Sequence, residues 1–429
     1  MNSPLAGKGA AFHDPALEQA QFLFMSSHCS IRAKGIFERI VQPLNPALHQ
    51  AGSSHPGDER FHQQLRDAMS RARACGIANP IVIGAIPFDV SKPSCLAIPR
   101  SYEVFSRELE GLPVDDTNVS DPLDVVGLQS LPGDQRFKQS VQQAIANFQL
   151  SDIRKAVLSR VLEVELAEPL DTDAIFARLV TQNPSAYQFR LPLESGAELI
   201  GASPELLLRK QGAQVYSYPL AGSAKRQSDP EQDRKVSETL LQSGKDAYEH
   251  SLVIDDIRQQ LAPLCKTLDV PSAPSLMSTR AMWHLATSIK GELVDPSLTA
   301  LQVASRLHPT PAVCGFPTRQ ARKLINLVES FERDMFTGMV GWCDSEGNGE
   351  WVVTIRCGVI EQNRIRLFAG AGIVEESCPE SEWAETQAKL QTMLNALGVD
   401  ISKPVAANAK IDLNKGVQTR KDAVAEETE

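Results

Sequence analysis

Apolar positions along this chain follow two periodicities, and the switches between them mark its elements. Ile81-Val-Ile-Gly-Ala-Ile-Pro-Phe88 is a continuous apolar, β-branched run, which predicts a buried strand. Trp351-Val-Val-Thr-Ile-Arg-Cys357 alternates with period two. Arg364-Ile-Arg-Leu-Phe-Ala369 follows the short polar turn Glu361-Gln-Asn363. The pair predicts a β-hairpin with one face buried. Asp229-Pro230 supplies an N-cap and a proline at the first helical position, so a helix is expected over 230–242. Ser243-Gly244 interrupts it, and a second helix is expected over 246–261. Ser377-Cys-Pro379 opens a long third helix, on which Trp383, Gln387, Leu390, Leu394 and Leu397 share one face. The sum is a mixed α/β architecture with antiparallel sheet.

The flanks read differently. Residues 1–18 are small and polar and are expected to be loose. The chain after Lys403-Pro404, residues 403–429, has little to bury and reads as a disordered tail. Residues 110–137 are rich in Asp, Pro and Gly and are expected to form a linker or long connection. No internal repeat is present.

Composition narrows the class. At 429 residues and 42% hydrophobic content the chain can bury a sizeable core, and 22% charged residues is ordinary for a globular enzyme. The formal net charge of −10, without a basic stripe interleaved with aromatics, argues against nucleic acid as a partner. It leaves an anionic small substrate open, because a cleft can be locally positive in an acidic protein. The eight cysteines include no C-x-x-C pair and read as reduced thiols. No signal-peptide h-region and no run near the ~20 apolar residues of a spanning helix is seen, so the expectation is a cytoplasmic protein without a membrane partner.

Several polar residues stand in apolar settings. Lys155 begins the run Lys155-Ala-Val-Leu-Ser-Arg160 and is either an edge gatekeeper or a functional amine; burial would favour its neutral, basic form. Glu205, between Pro204 and Leu206-Leu-Leu208, is either a solvated strand-end carboxylate or an acid whose apolar flanks hold its proton. Glu382, Glu385 and Lys389 fall in one narrow helical stripe beside the apolar face. That stripe is either a wet face with an i,i+4 ion pair or a wall of a cleft. Glu249 and Glu385 together could offer two carboxylates to a hard cation such as Mg²⁺. His250 and His284 are, taken alone, ordinary histidines. Gly370-Ala-Gly372 marks either a tight turn or a place where backbone N–H groups approach an anion. Arg356 is suited to bidentate carboxylate capture or to cross-strand pairing, and shares a strand face with Thr354.

In order along the chain, Lys155–Arg160, Gly201-Ala-Ser-Pro-Glu205, Pro219-Leu-Ala-Gly-Ser223, Glu249-His250 and Trp283-His-Leu-Ala-Thr287 are followed by Leu307-His-Pro-Thr-Pro-Ala312, Gly315-Phe-Pro317, Gly341-Trp-Cys-Asp-Ser-Glu-Gly347, Arg356, Ala369-Gly-Ala-Gly-Ile-Val374 and Glu382-x-x-Glu385-x-x-x-Lys389. This series, over about residues 135–398, resembles the chorismate-utilising enzymes, and among them the isochorismate synthases of the siderophore (2,3-dihydroxybenzoate) type. Gly84-Ala-Ile-Pro-Phe-Asp89 extends the likeness toward the N-terminus. The resemblance implies an α/β chorismate-binding fold like that of anthranilate synthase component I, with two large antiparallel sheets flanked by helices in one domain spanning 19–402. It implies Mg²⁺ as cofactor and conversion of chorismate to isochorismate, water adding at C2 as the C4 hydroxyl departs. Lys155 would then be the base, Glu205 the acid, and His284 would sit near the departing hydroxyl. Glu249 and Glu385, supported by Glu382, would hold the metal. Gly222, Ser223, Ala312, Arg356, Phe368, Gly370 and Lys389 would bind substrate.

Three positions in that resemblance favour water as nucleophile. Relatives that add ammonia typically lack a lysine at the Lys155 position; aminodeoxychorismate enzymes carry a lysine in the run that here includes Ala221; anthranilate-type enzymes have threonine where Ala312 stands. A salicylate synthase, a menaquinone-pathway isochorismate synthase and an inactive binding subunit are the alternatives. A transient contact with a downstream isochorismatase is the partner expected.

Overall fold

The structure, a computed structural model, describes residues 18–45, 59–106 and 123–400. The tail expected over 403–429 and, Glu18 aside, the loose start expected over 1–18 lie outside the described residues. The expected capping chemistry governs the helices. Asp229 accepts from the Gln232 N–H and Pro230–Gln242 follows. Ser243 then caps Gly244–Leu261, which starts two residues earlier than expected. The last helix, Pro379–Leu397, ends on Gly398 in the left-handed conformation.

Among the described residues the strands form one large antiparallel sheet of 17 members and a small sheet of three. Pairing runs without a break through the large one. Cys265–Asp269, Ile289–Leu293, Gln214–Tyr218, Leu206–Gln211, Gly349–Val353, Met339–Asp344, Ile81–Ile86, Cys95–Phe105 and Ser30–Ile40 make one half. Gln21–Met25 then joins Ser30–Ile40 to Tyr187–Pro192. Glu198–Ser203, Cys357–Glu361, Arg364–Ile373, Lys155–Leu166 and Val125–Leu131 complete the second half. The two sheets implied by the resemblance are therefore halves of a single curled ladder. The small sheet pairs Leu220–Lys225 and Ser275–Ser278 with Met282–Ala286.

Two segments pass directly from one half to the other. The chain leaves Glu198–Ser203 and re-enters at Leu206–Gln211, across Pro204 and Glu205. It leaves Gly349–Val353 and re-enters at Cys357–Glu361, across Thr354, Ile355 and Arg356. The strand expected to run unbroken through 351–357 is thus broken at 354–356, and Arg356 sits at φ 52°. The reason is burial on both sides: Trp351, Val352 and Val353 are all buried, so alternation there does not mark a wet face. The hairpin turns where expected, after Glu361, and Arg364–Ile373 is its second strand, but its first strand is Cys357–Glu361 rather than residues 351–357.

The connection expected over 110–137 is only partly one. Residues 107–122 lie outside the described residues, but Val125–Leu131 pairs along Lys155–Leu166 and the helix Asp134–Leu150 starts just beyond it. Its half-exposed side chains explain why no apolar alternation announces this strand. Thr172–Gln182 and Pro379–Leu397 cover the second half of the sheet, burying Leu390, Leu394 and Leu397 against Leu162, Val164 and Leu367. A larger core packs Phe61, Leu65 and Ile254 with Trp351, Val352 and Phe189.

Gly201, in the Gly201-Ala-Ser-Pro-Glu205 run, lies beneath both crossings. A Cβ there would stand 2.5 Å from the Phe189 ring and 2.8 Å from Cys357 Cβ. Overpacking a tight core typically costs about 1–3 kcal/mol. Gly201→Val is therefore expected to lower the free energy of urea unfolding by at least that order; an unchanged midpoint would contradict the packing described.

Candidate active site

The two crossings hold each other. The Ala202 N–H donates to the Arg356 carbonyl at 3.1 Å and the Val353 N–H to the Glu205 carbonyl at 3.1 Å. Glu205 and Arg356 thereby project into one cavity. Two non-glycine residues of its wall occupy the left-handed region, Arg356 at φ 52° and the β-branched Thr337 at φ 59°. Such conformations cost roughly 1–3 kcal/mol and persist where the surroundings impose them. Here the Thr337 N–H donates to the Thr354 carbonyl at 2.8 Å and the Thr354 N–H to the Gly338 carbonyl at 2.9 Å.

The structure brings most of the sequence-derived candidates to this cavity. Glu205, Gly222, Ser223, Glu249, His284, Ala312, Arg356, Phe368, Gly370, Glu385 and Lys389 all line it. Lys155 and Glu382 do not. Lys155 is fully buried one layer back, on the same strand face as the lining residue Val157, with Nζ 2.9 Å from Glu249 Oε1. Glu382 is also buried, its Oε1 accepting from Lys245 Nζ at 2.7 Å.

Charge in this corner is balanced group by group. Glu249 meets Lys155 at 2.9 Å, Glu385 meets Lys389 at 2.6 Å, and Glu382 meets Lys245 at 2.7 Å. The i,i+4 pair between Glu385 and Lys389 thus exists, and it faces the cavity rather than solvent. Lys389 also donates to the Gly370 carbonyl at 2.8 Å. Burial and the neighbouring Glu385 charge push Glu382 up to about 7 against the pull of Lys245. Burial pushes Glu385 upward too, but Lys389, Lys245 and a Ser223 hydrogen bond outweigh it and hold this carboxyl below its ordinary value. Asp246, on the same helix as Glu249, is raised by burial and by the Glu249 and Glu385 charges.

The glycines have steric duties. A Cβ on Gly372 would lie 2.0 Å from Glu249 Oε1, so only glycine lets that carboxylate sit beside Lys155. Gly222 takes φ 79° where the pairing of Leu220–Lys225 with Met282–Ala286 shifts register. The space above Gly370-Ala-Gly372 thus admits a side-chain carboxylate of this chain, a use that the spacing of the glycines does not disclose.

Of the acids that line the cavity, Glu205, Glu249 and Glu385, only Glu205 has no lysine bonded to it. Burial pushes its carboxyl up to about 7, opposed by a Leu220 amide hydrogen bond and by the Lys155, Arg356 and Lys389 charges. His284 is driven well below its ordinary value by burial, with Arg356 and Lys389 adding to the effect. Its neutral ring presents Nε2 to Arg356 Nη2 at 3.4 Å. Since a guanidinium only donates, Nε2 accepts and the proton sits on Nδ1. His250 is structural: Nδ1 donates to the Ala221 carbonyl at 3.1 Å, Nε2 takes the Thr287 hydroxyl at 2.8 Å, and burial lowers its pKa to about 4.

Sequence reasoning missed Lys245, Thr337 and a buried pair, Glu329 with Arg333, behind the wall. Lys245 stood in view four residues before Glu249, but that spacing points to Glu249 rather than to the Glu382 partner it takes.

The raised Glu205 carboxyl makes a stability prediction. As pH rises from its ordinary 4.5 toward about 7, the unfolded chain gives up this proton before the folded one does. Stability present at low pH is therefore lost across that interval. Glu205→Gln keeps the shape and removes the loss. Its Tm is expected to exceed that of the parent at pH 8, with the gap closing by pH 5; a gap independent of pH would contradict the shift.

The comparisons with known proteins converge. Residues 106–398 match the family model described as chorismate binding enzyme. The chain is 45% identical over 379 residues to the isochorismate synthase EntC of Escherichia coli (strain K12), covering 88% of this chain and 95% of that one. A solved structure assigned as the 2,3-dihydroxybenzoate-specific isochorismate synthase DhbC of Bacillus anthracis aligns with a TM-score of 0.80 at 39% identity, over 89% of this chain and 97% of that one. Anthranilate synthase component I of Streptococcus pneumoniae shares the fold at a TM-score of 0.62 and 19% identity, over 91% of this chain and 95% of that one. With every residue that lines the cavity lying inside the matched span, this chain belongs to the chorismate-binding enzyme family.

Proposed function

We propose that this chain is an isochorismate synthase, converting chorismate to isochorismate for a 2,3-dihydroxybenzoate siderophore. The observation that carries the reading is Glu205: a buried carboxyl that keeps its proton up to about pH 7, facing a cavity rimmed by Arg356 and Lys389. A proton donor and two cations are what a dianionic substrate losing a hydroxyl requires.

In the proposed reaction Arg356, Lys389 and the backbone at Gly370 hold the side-chain carboxylate, while Gly222 and Ser223 flank the ring carboxylate. Ala312 and Phe368 pack against the ring. Lys155 takes a proton from water as its oxygen bonds to C2. The ring π electrons shift, the C4–O bond breaks, and Glu205 supplies the proton with which that hydroxyl leaves as water. One water enters and one departs. His284, neutral and accepting from Arg356, orients that guanidinium beside the departing group. Because Glu249 occupies Lys155, the carboxylate must leave the amine before Lys155 acts as base.

A divalent cation suits the acidic corner. Glu249 and Glu385 line the same cavity, while among the described residues no group of three or more His, Cys, Asp or Glu is set to hold a metal. Two carboxylates completed by water and substrate is the habit of Mg²⁺. Glu249 and Glu385 would hold it, with Glu382 supporting from behind, and bound there it would neutralise the ring carboxylate. Among the described residues no helix is long and apolar enough to cross a membrane. With eight free thiols, we assign the enzyme to the cytoplasm, its product passing to an isochorismatase that it contacts transiently.

A proton NMR time course with chorismate and Mg²⁺ tests this reading. Isochorismate should accumulate without pyruvate, and chelator should stop it. Glu205→Gln should lose about 10²–10⁴ in kcat, the usual share of a general acid. Parent kcat should fall as pH rises through about 7 and Glu205 ionises. Salicylate with pyruvate would point to a salicylate synthase; no conversion at all would leave a binding subunit.

A further inference from the structure

The strand Lys155–Leu166 carries the proposed base at its first residue. One edge is paired along its length with Arg364–Ile373. The other edge is divided. Gly315–Phe316 pairs with residues 155 and 156, and Val125–Leu131 takes over only at Val161. Over 157–160 no strand among the described residues continues the ladder: the Val157 N–H donates to the Cys314 carbonyl at 2.9 Å, but the buried Val157 carbonyl and Ser159 N–H beyond it still need partners.

Two side chains fill the gap. Glu329 Oε1 accepts from the Ser159 N–H at 2.7 Å, and Arg333 Nη2 donates to the Val157 carbonyl at 2.7 Å. They are tied to each other by Nη2 to Oε1 at 2.6 Å and Nε to Oε2 at 2.8 Å, both side chains being nearly inaccessible. A carboxylate thus stands where a neighbouring strand would offer C=O, and a guanidinium where it would offer N–H. The same guanidinium donates through Nη1 to the Val313 carbonyl at 2.9 Å and to Thr337 Oγ1 at 3.3 Å. Val157, Val313 and Thr337 all line the catalytic cavity, and neither Glu329 nor Arg333 does. A buried ion pair is by itself weak evidence of anything beyond packing. What singles this one out is that its hydrogen bonds end on three separate stretches of the cavity wall.

We propose that Glu329 and Arg333 are a positioning pair for the reaction, setting the Val157 wall, and with it Lys155, against the bound ring. The inference rests on the isochorismate synthase reading. The substrate carboxylates are held from other walls, one by Arg356 and Lys389 and the other beside Gly222 and Ser223, so loss of the pair falls on turnover rather than on substrate affinity.

The test uses the full-length enzyme with chorismate and Mg²⁺. Glu329→Gln and Arg333→Lys, checked for folding by circular dichroism, are expected to lower kcat at least tenfold while KM stays within threefold. A second cavity has Glu329 and Arg333 in its lining and exposed Asn326, Ser330, Glu332 and Asp334 at its rim. It gives a small cation a route to the vacated place. Guanidinium ion added to Arg333→Gly should therefore restore kcat at least fivefold, and sodium at equal ionic strength should not. Rescue of kcat is a readout that a purely structural role would not move in a variant already folded. Should Arg333→Gly fail to fold, the kcat and KM of Glu329→Gln decide. Wild-type kcat in Glu329→Gln, equal losses in kcat and 1/KM, or no guanidinium rescue in folded Arg333→Gly would overturn the proposal. A parent enzyme that makes no isochorismate would instead refute the function on which it rests.

Discussion

Two backbone hydrogen bonds, Ala202 to Arg356 and Val353 to Glu205, fix the place where both chain crossings pass between the halves of the sheet. At that place β-pairing stops and resumes, so side chains there can turn inward together instead of alternating. The carboxyl of Glu205 and the guanidinium of Arg356 enter the same cavity for this reason. Burial of the first favours its neutral form; burial of the second lowers its pKa to about 10 against the pull of the Glu385 charge, which leaves it a cation at neutral pH. The fold thus produces an acid that keeps its proton beside a cation that keeps its charge, which is the pairing of unequal pKa values on which acid–base chemistry depends.

The rest of the site is an exercise in compensated charge. Each of the three carboxylates proposed for the metal has a lysine within 3 Å, at 2.9, 2.6 and 2.7 Å. Uncompensated ions at this depth would be strongly unfavourable. The steric condition for this arrangement is Gly372, whose missing side chain leaves room for Glu249. Arg160 anchors the helix that carries Glu385 and Lys389 to the strand that carries Lys155. Its guanidinium stacks 3.9 Å from the Trp383 ring centroid and its Nε donates to Thr386 Oγ1 at 2.8 Å.

What could be read from the chain was whatever depends on local chemistry. Asp229 and Ser243 announce their helices through caps, and Glu361-Gln-Asn363 announces its hairpin. The ordered motifs locate most of the cavity lining, Glu205 and Arg356 included. What stayed hidden depends on contacts distant in sequence. Val125–Leu131 is half-exposed and has no apolar alternation, so it reads as a connection. The break at 354–356 is masked because residues buried on both faces continue an apolar run straight into it. Lys245 chooses a partner 137 residues away over one four residues away. Glu329 and Arg333 look like an ordinary i,i+4 pair until the strand edge that they complete is known.

The measurement that bears most directly on this account is an infrared titration of the Glu205 carboxyl, taken as the difference between parent and Glu205→Gln spectra. A protonated-carboxyl band that persists from pH 5 and disappears around pH 7 is the predicted result. A group already ionised at pH 5 would contradict the claim that burial at the crossing preserves its proton, and with it the acid on which the proposed chemistry relies.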